Sequence, residues 1–76
     1  MSRILDILEQ IRPGEPFAES RDFIADGLLD SYDIVTLVSD LDAAYGISID
    51  GVDIIPENFQ NLTAIEALIR KRGVTP

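Results

Sequence analysis

Ile34, Leu37, Val38, Leu41 and Tyr45 recur at i, i+3, i+4, i+7 and i+11. This spacing places them on one stripe of an α-helix and fits no strand, whose side chains alternate with a period of two. It predicts a helix over Ser31 to Tyr45, closed by Gly46 as a left-handed stop. Such a helix must bury its stripe, and the rest of the chain supplies helical partners. Ile4, Leu5, Ile7, Leu8 and Ile11 predict a first helix with Ser2 as N-cap and Pro13-Gly14 as its end. Leu62, Ile65, Leu68 and Ile69 predict a last helix capped by Asn61. Pro56 has the character of a first helical position and predicts a short turn of helix through Phe59. The expected fold is all-α: a small four-helix bundle of three longer helices and one short helix, forming a single domain over residues 1–76.

The connections are less regular. Gly14 to Leu29 shows no sustained period, with Phe17, Phe23 and Ile24 as expected anchors into a core and space for a turn of helix around Asp22 to Ala25. Ile47-Ser48-Ile49 is too short to read as a strand and is expected to drape two side chains onto the core. Asp50-Gly51 signals a turn. Arg70, Lys71 and Arg72 fall in the final turn of the last helix, just before Gly73. Cations there oppose the negative end of the helix dipole, so this run reads as helix chemistry and not as a binding patch.

Composition narrows the function. The 76 residues include no cysteine and no histidine. That excludes a disulfide framework, a thiolate metal site and any Ser-His or Cys-His nucleophile pair within the chain. A domain this small also leaves little room for a deep substrate cleft, so a free-standing enzyme is not expected. The net charge is −8, and Asp22 to Ile69 holds ten acids and no cation. Phosphate backbones and anionic headgroups repel such a surface, so no nucleic-acid partner is expected; basic protein patches are its natural counterparts. No apolar run approaches the roughly 20 residues that span a bilayer, and Met1-Ser2-Arg3 leads into an amphipathic stretch, not a signal-peptide core. The expectation is a cytoplasmic monomer without membrane insertion. The clustered acids predict a melting temperature that rises with added salt or Mg²⁺; a melting curve indifferent to both counts against a self-repelling surface.

Ser48, Asp50, Gly51 and Glu57 share the spacing of an EF-hand calcium loop. Its first position falls on Gly46, which has no side-chain ligand, and its ninth on Ile54, so no metal is expected.

Ser31 stands where the long irregular loop meets a helix. Position alone favours a capping hydroxyl. A catalytic nucleophile lacks a histidine base, and Asp30 is a poor base for an alcohol. A third role is attachment, because the positive end of a helix suits a phosphodiester.

Asp30-Ser31, followed by Ile34, Leu37, Val38 and Leu41 and ending at Tyr45-Gly46, resembles the phosphopantetheine-attachment motif of acyl and peptidyl carrier proteins. The resemblance spans nearly the whole chain. Asp53-Ile54-Ile55-Pro56-Glu57-Asn58-Phe59 also looks like the third-helix region of carriers that serve amino-acid-activating enzymes. It implies an acyl-carrier-like fold and a 4′-phosphopantetheine arm from coenzyme A on Ser31, with cargo held as a thioester. Asp30 is then expected to present Ser31 to the phosphopantetheinyl transferase.

Helical projection puts Tyr32, Thr36, Ser39 and Ala43 opposite the core stripe. Val35 lies nearer the boundary, and Asp33 and Asp40 flank the other side. Carriers are recognised mainly along this helix, so the resemblance implies partner contact at Tyr32, Val35 and Ser39, with Asp33 and Asp42 steering. Thr36 and Ala43 stand where fatty-acid carriers commonly have acids. In pattern the chain is therefore most like free-standing aminoacyl or D-alanyl carriers, loaded by a separate adenylating enzyme and discharged to acyl-accepting enzymes. A fatty-acid or polyketide carrier is the alternative within the family. An acidic helical adaptor without a prosthetic group is the alternative outside it.

Overall fold

The computed structural model describes residues 3–76; the expected cap at Ser2 lies outside them. It is all-α, with helices α1 (Arg3–Ile11), α2 (Ser31–Tyr45) and α3 (Leu62–Lys71) and no strand among the described residues. The expected short helix at Pro56 is a single 3₁₀ turn, Pro56–Asn58, preceded by a second one at Gly51–Asp53. Proline presets the first dihedral of such a turn. Tight i→i+3 bonding then ends it within one turn: the Phe59 N–H donates to Pro56 O at 3.0 Å, and Phe59 is fully buried.

Helix α1 packs across both α2 and α3. It contributes Ile4, Ile7 and Leu8; α2 contributes Ile34, Leu37, Val38 and Leu41; α3 contributes Ile65, Leu68 and Ile69. These are the centres of the stripes expected from periodicity; Leu5 and Ile11 of the expected α1 stripe are only partly buried. Tyr45 and Leu62 pack at the margin of the same core, only partly buried. The Arg3 guanidinium covers the Tyr45 ring at 5.0 Å and donates to Ala44 O, tying the start of α1 to the end of α2.

The long connection is held by aromatic anchors. Phe17 and Phe23 meet edge to face with ring centroids 5.2 Å apart, and both are buried. Asp22 Oδ1 accepts from the Ile24 and Ala25 N–H groups, and the Asp26 N–H donates to Asp22 O. The segment that had space for a turn of helix thus holds a hydrogen-bonded turn and no helix. The Phe23 N–H donates to Gln60 O, and Asn61 Nδ2 donates to Arg21 O, so the loop is fastened to the segment entering α3. Asn61 Oδ1 also caps α3 at Ala64 N, 2.8 Å.

Gly46 ends α2 at φ +64°, where its N–H reaches Asp42 O. Ile49 then enters the core, while Ile47 packs at its margin. Lys71 and Arg72 at the end of α3 bind carboxylates of the segment from Asp50 to Asp53. The dipole role expected for the basic run is thus joined by specific ion pairing. No helix among the described residues is long and apolar enough to cross a membrane, and no cluster of acidic residues among them is arranged to hold a metal ion.

Candidate functional site

The head of α2 is built by its acids, not by Ser31. Asp30 is the N-cap in extended conformation (φ −113°, ψ −176°), and its Oδ1 accepts from Asp33 N at 2.9 Å. Asp33 Oδ2 reaches back to Asp30 N at 3.2 Å, completing a capping box. The capping role that position suggested for Ser31 therefore belongs to Asp30. A serine at the first helical residue cannot place its oxygen over the free N–H groups as a residue in extended conformation does. Ser31 is exposed, and none of the hydrogen bonds at this helix end uses its Oγ.

The N–H of Asp33 holds the Asp30 carboxyl below the ordinary aspartate value of 3.8. Desolvation, the next largest effect, opposes this, while Arg12, the Asp33 side chain and the Tyr32 N–H add to it. A folded-state value below the unfolded one gives stability that is complete above the unfolded value and lost as pH falls through the folded one. Asp30→Asn keeps a capping oxygen but removes the charge. The wild type is expected to melt higher than this variant by a constant margin above about pH 5, shrinking as pH drops below the normal carboxylate range. Thermal melts of both chains from neutral to strongly acidic pH check this. A margin that does not change with pH would show that the carboxylate's charge contributes nothing.

Asp33 has further work inside the chain. Arg12 Nε lies 2.9 Å from its Oδ2, which fastens the end of α1 to the start of α2. Asp42 is similarly engaged, accepting from Ile49 N at 3.1 Å and so shaping the exit from α2. The two acids expected to steer partners thus also hold the backbone. Tyr32, Val35 and Ser39 remain exposed, Val35 at 65% and Tyr32 at 79%.

The residues that sequence reasoning missed are Ile54 and Ile55. With Ser31, Ile34, Val35 and Pro56 they line an apolar groove of about 240 Å³ directly beside the serine. Both isoleucines are more than one-third exposed, although each is large and apolar. They lie between two 3₁₀ turns, neither of which has a length or period that assigns a buried face in the sequence. An exposed hydroxyl with an apolar groove alongside is suited to carry a tethered group whose extension lies along that groove.

In comparisons with known proteins, no family model, no curated protein and no solved structure matches the chain.

Proposed function

We propose that the chain is a carrier protein of acyl-carrier-like helical fold that bears a 4′-phosphopantetheine arm on Ser31. The observation that carries the reading is the division of labour at the head of α2: Asp30 and Asp33 satisfy the helix end, leaving the Ser31 hydroxyl exposed and uncommitted. A serine needed for folding would be spent on the cap; this one is available to react. When bound, the arm supplies a thiol that holds cargo as a thioester.

Attachment is group transfer from coenzyme A by a separate transferase. Ser31 Oγ forms the new bond to the phosphorus that bears the pantetheine, the bond from that phosphorus to the bridging oxygen breaks, and adenosine 3′,5′-bisphosphate leaves. The hydroxyl proton passes to a base of the transferase, since the chain has no histidine and Asp30 is occupied as a cap. The exposed Ser31 Oγ and the apolar groove next to it fit the arm; the dipole of the 15-residue helix is already answered by the Asp30 and Asp33 carboxylates and adds little for the phosphodiester anion.

The nearly uncharged centre of the exposed α2 face favours loading by an amino-acid-adenylating enzyme in the cytoplasm, with later transfer to acyl-accepting enzymes. Incubation with coenzyme A, Mg²⁺ and a broad-specificity phosphopantetheinyl transferase, followed by intact-mass measurement, tests the reading. The expected result is a gain of one phosphopantetheine; an unchanged mass overturns it and leaves the acidic adaptor. Loading of the modified chain by a malonyl transferase, in preference to adenylating enzymes supplied with amino acids, would move it to the fatty-acid or polyketide subtype.

A further inference from the structure

The wall of the groove beside Ser31 is a short segment, Ile54 to Pro56, with open space on both sides. Toward α2 lies the groove of about 240 Å³; toward α3 lies a second cleft of about 400 Å³, lined among others by Asp53, Ile55, Ala67 and Lys71. Ile55 lines both, so close packing on neither side fixes its position. The segment is held instead by polar ties. Asp53, only 8% exposed, receives Lys71 Nζ at 3.0 Å on Oδ1 and Arg72 Nη2 at 3.4 Å on Oδ2. Its carbonyl oxygen accepts from Asn58 Nδ2 at 2.8 Å. Arg72 also reaches Asp50 at 3.3 Å and Ser48 O at 3.5 Å. These contacts clasp the segment to the end of α3.

We infer that Asp53 is a positioning residue: through Lys71 and Arg72 it fixes the Ile54–Pro56 wall, and so sets the shape of the surface an enzyme meets beside Ser31. The partner-facing half of this inference rests on the carrier reading; the geometry of the clasp does not. The Asp53 carboxylate has little water around it and Arg72 is largely covered, so that pair is weakly screened; Lys71 is more than half exposed and adds a second, better-screened tie. An amide keeps the size of the side chain and loses that orienting force.

The test compares the wild type with Asp53→Asn, Asp53→Glu and Lys71→Gln. Isoleucine δ1-methyl NMR of the unmodified chain reads the wall directly, with Ile4, Ile65 and Ile69 reporting on the core. Asp53→Asn is expected to shift or broaden the Ile54 and Ile55 methyl signals and the Ser31 amide while the three core methyls stay in place. Lys71→Gln, which leaves Arg72 on Asp53, is expected to move the same signals less, and Asp53→Glu to restore them in part. With a broad-specificity transferase and coenzyme A, Asp53→Asn is expected to raise KM for the chain about three- to tenfold at nearly unchanged kcat. A merely structural role would move the core methyls together with the wall.

Wall methyls indifferent to Asp53→Asn overturn the clasp, even in a chain that is fully modified at Ser31. Wall methyls that move with no change in KM overturn the partner-facing half. A wild-type chain that is never modified, yet whose wall responds, removes the carrier reading and its partner-facing corollary and supports the clasp. If Asp53→Asn unfolds, Lys71→Gln decides: moved wall methyls support the clasp, and unmoved ones overturn it.

Discussion

Ser31→Ala should abolish the mass gain completely while leaving the melting temperature almost unchanged. The two halves of this expectation have different causes. Transfer to the chain needs the nucleophilic oxygen, and alanine removes it. Folding does not need it, because the cap is made by Asp30 and closed by Asp33. Alanine is also the better helix former at an exposed helical position, by a few tenths of a kcal/mol. The stability change should therefore lie within about 0.5 kcal/mol of zero. Intact-mass measurement and a thermal melt on the same sample check both halves. Loss of several degrees in Ser31→Ala would show that the hydroxyl has a structural duty, and continued mass gain would place the attachment elsewhere. Ser31→Thr keeps a hydroxyl but adds a methyl group on Cβ, the carbon that bears the reacting oxygen, so slower modification of a stable chain is expected.

The extent of α2 was legible because its information is local. Ile34, Leu37, Val38 and Leu41 announce one face, and Gly46 announces the end, whatever packs against them. The division of roles at the other end was harder to see. Asp30 and Ser31 are both good capping residues, and adjacency makes them rivals. Asp30 and Asp33 stand three apart, as a capping box requires, but aspartate in place of glutamate or glutamine weakens that signal. The exposed Ser31 was therefore expected from a resemblance, while the reason it is free comes from the geometry.

Non-local features were out of reach. In sequence Lys71 and Arg72 point only to the dipole of their own helix, because the carboxylate that binds them lies 18 and 19 positions earlier. Ile54 and Ile55 enter the sequence reading as part of the stretch 53–59 that resembles a carrier third helix, and only the fold places them beside Ser31. Asp33 looked like a surface acid because projection along one helix cannot show Arg12 arriving from another. The short turn from Pro56 is legible because proline marks where a helix starts; it closes where the Phe59 N–H meets Pro56 O.

Phe23→Ala should cost about 3–5 kcal/mol, the usual loss for deleting a fully buried aromatic ring. The ring is inaccessible to water and meets Phe17 edge to face, so its removal leaves a cavity and an unpaired partner. Its backbone sits at a junction: the N–H donates to Gln60 O, and the carbonyl accepts from the Leu28 and Leu29 N–H groups. Those bonds connect the long loop to the entry of α3 on one side and to Asp30, two residues past Leu28, on the other. At roughly 0.05–0.15 kcal/mol per residue, a chain of this size has about 4–11 kcal/mol in total. The loss is thus a large share of the whole, and a net charge of −8 leaves little reserve. Urea titration followed by circular dichroism should show a midpoint lowered by at least about a quarter, or no folded baseline at all. Phe23→Leu refills most of the space and should cost less than about half as much. If the alanine variant kept the wild-type midpoint, the loop would be held by something other than its aromatic anchor. If it lost stability yet was still modified at Ser31 at the wild-type rate, presentation of the hydroxyl would depend on α2 and its acidic cap alone.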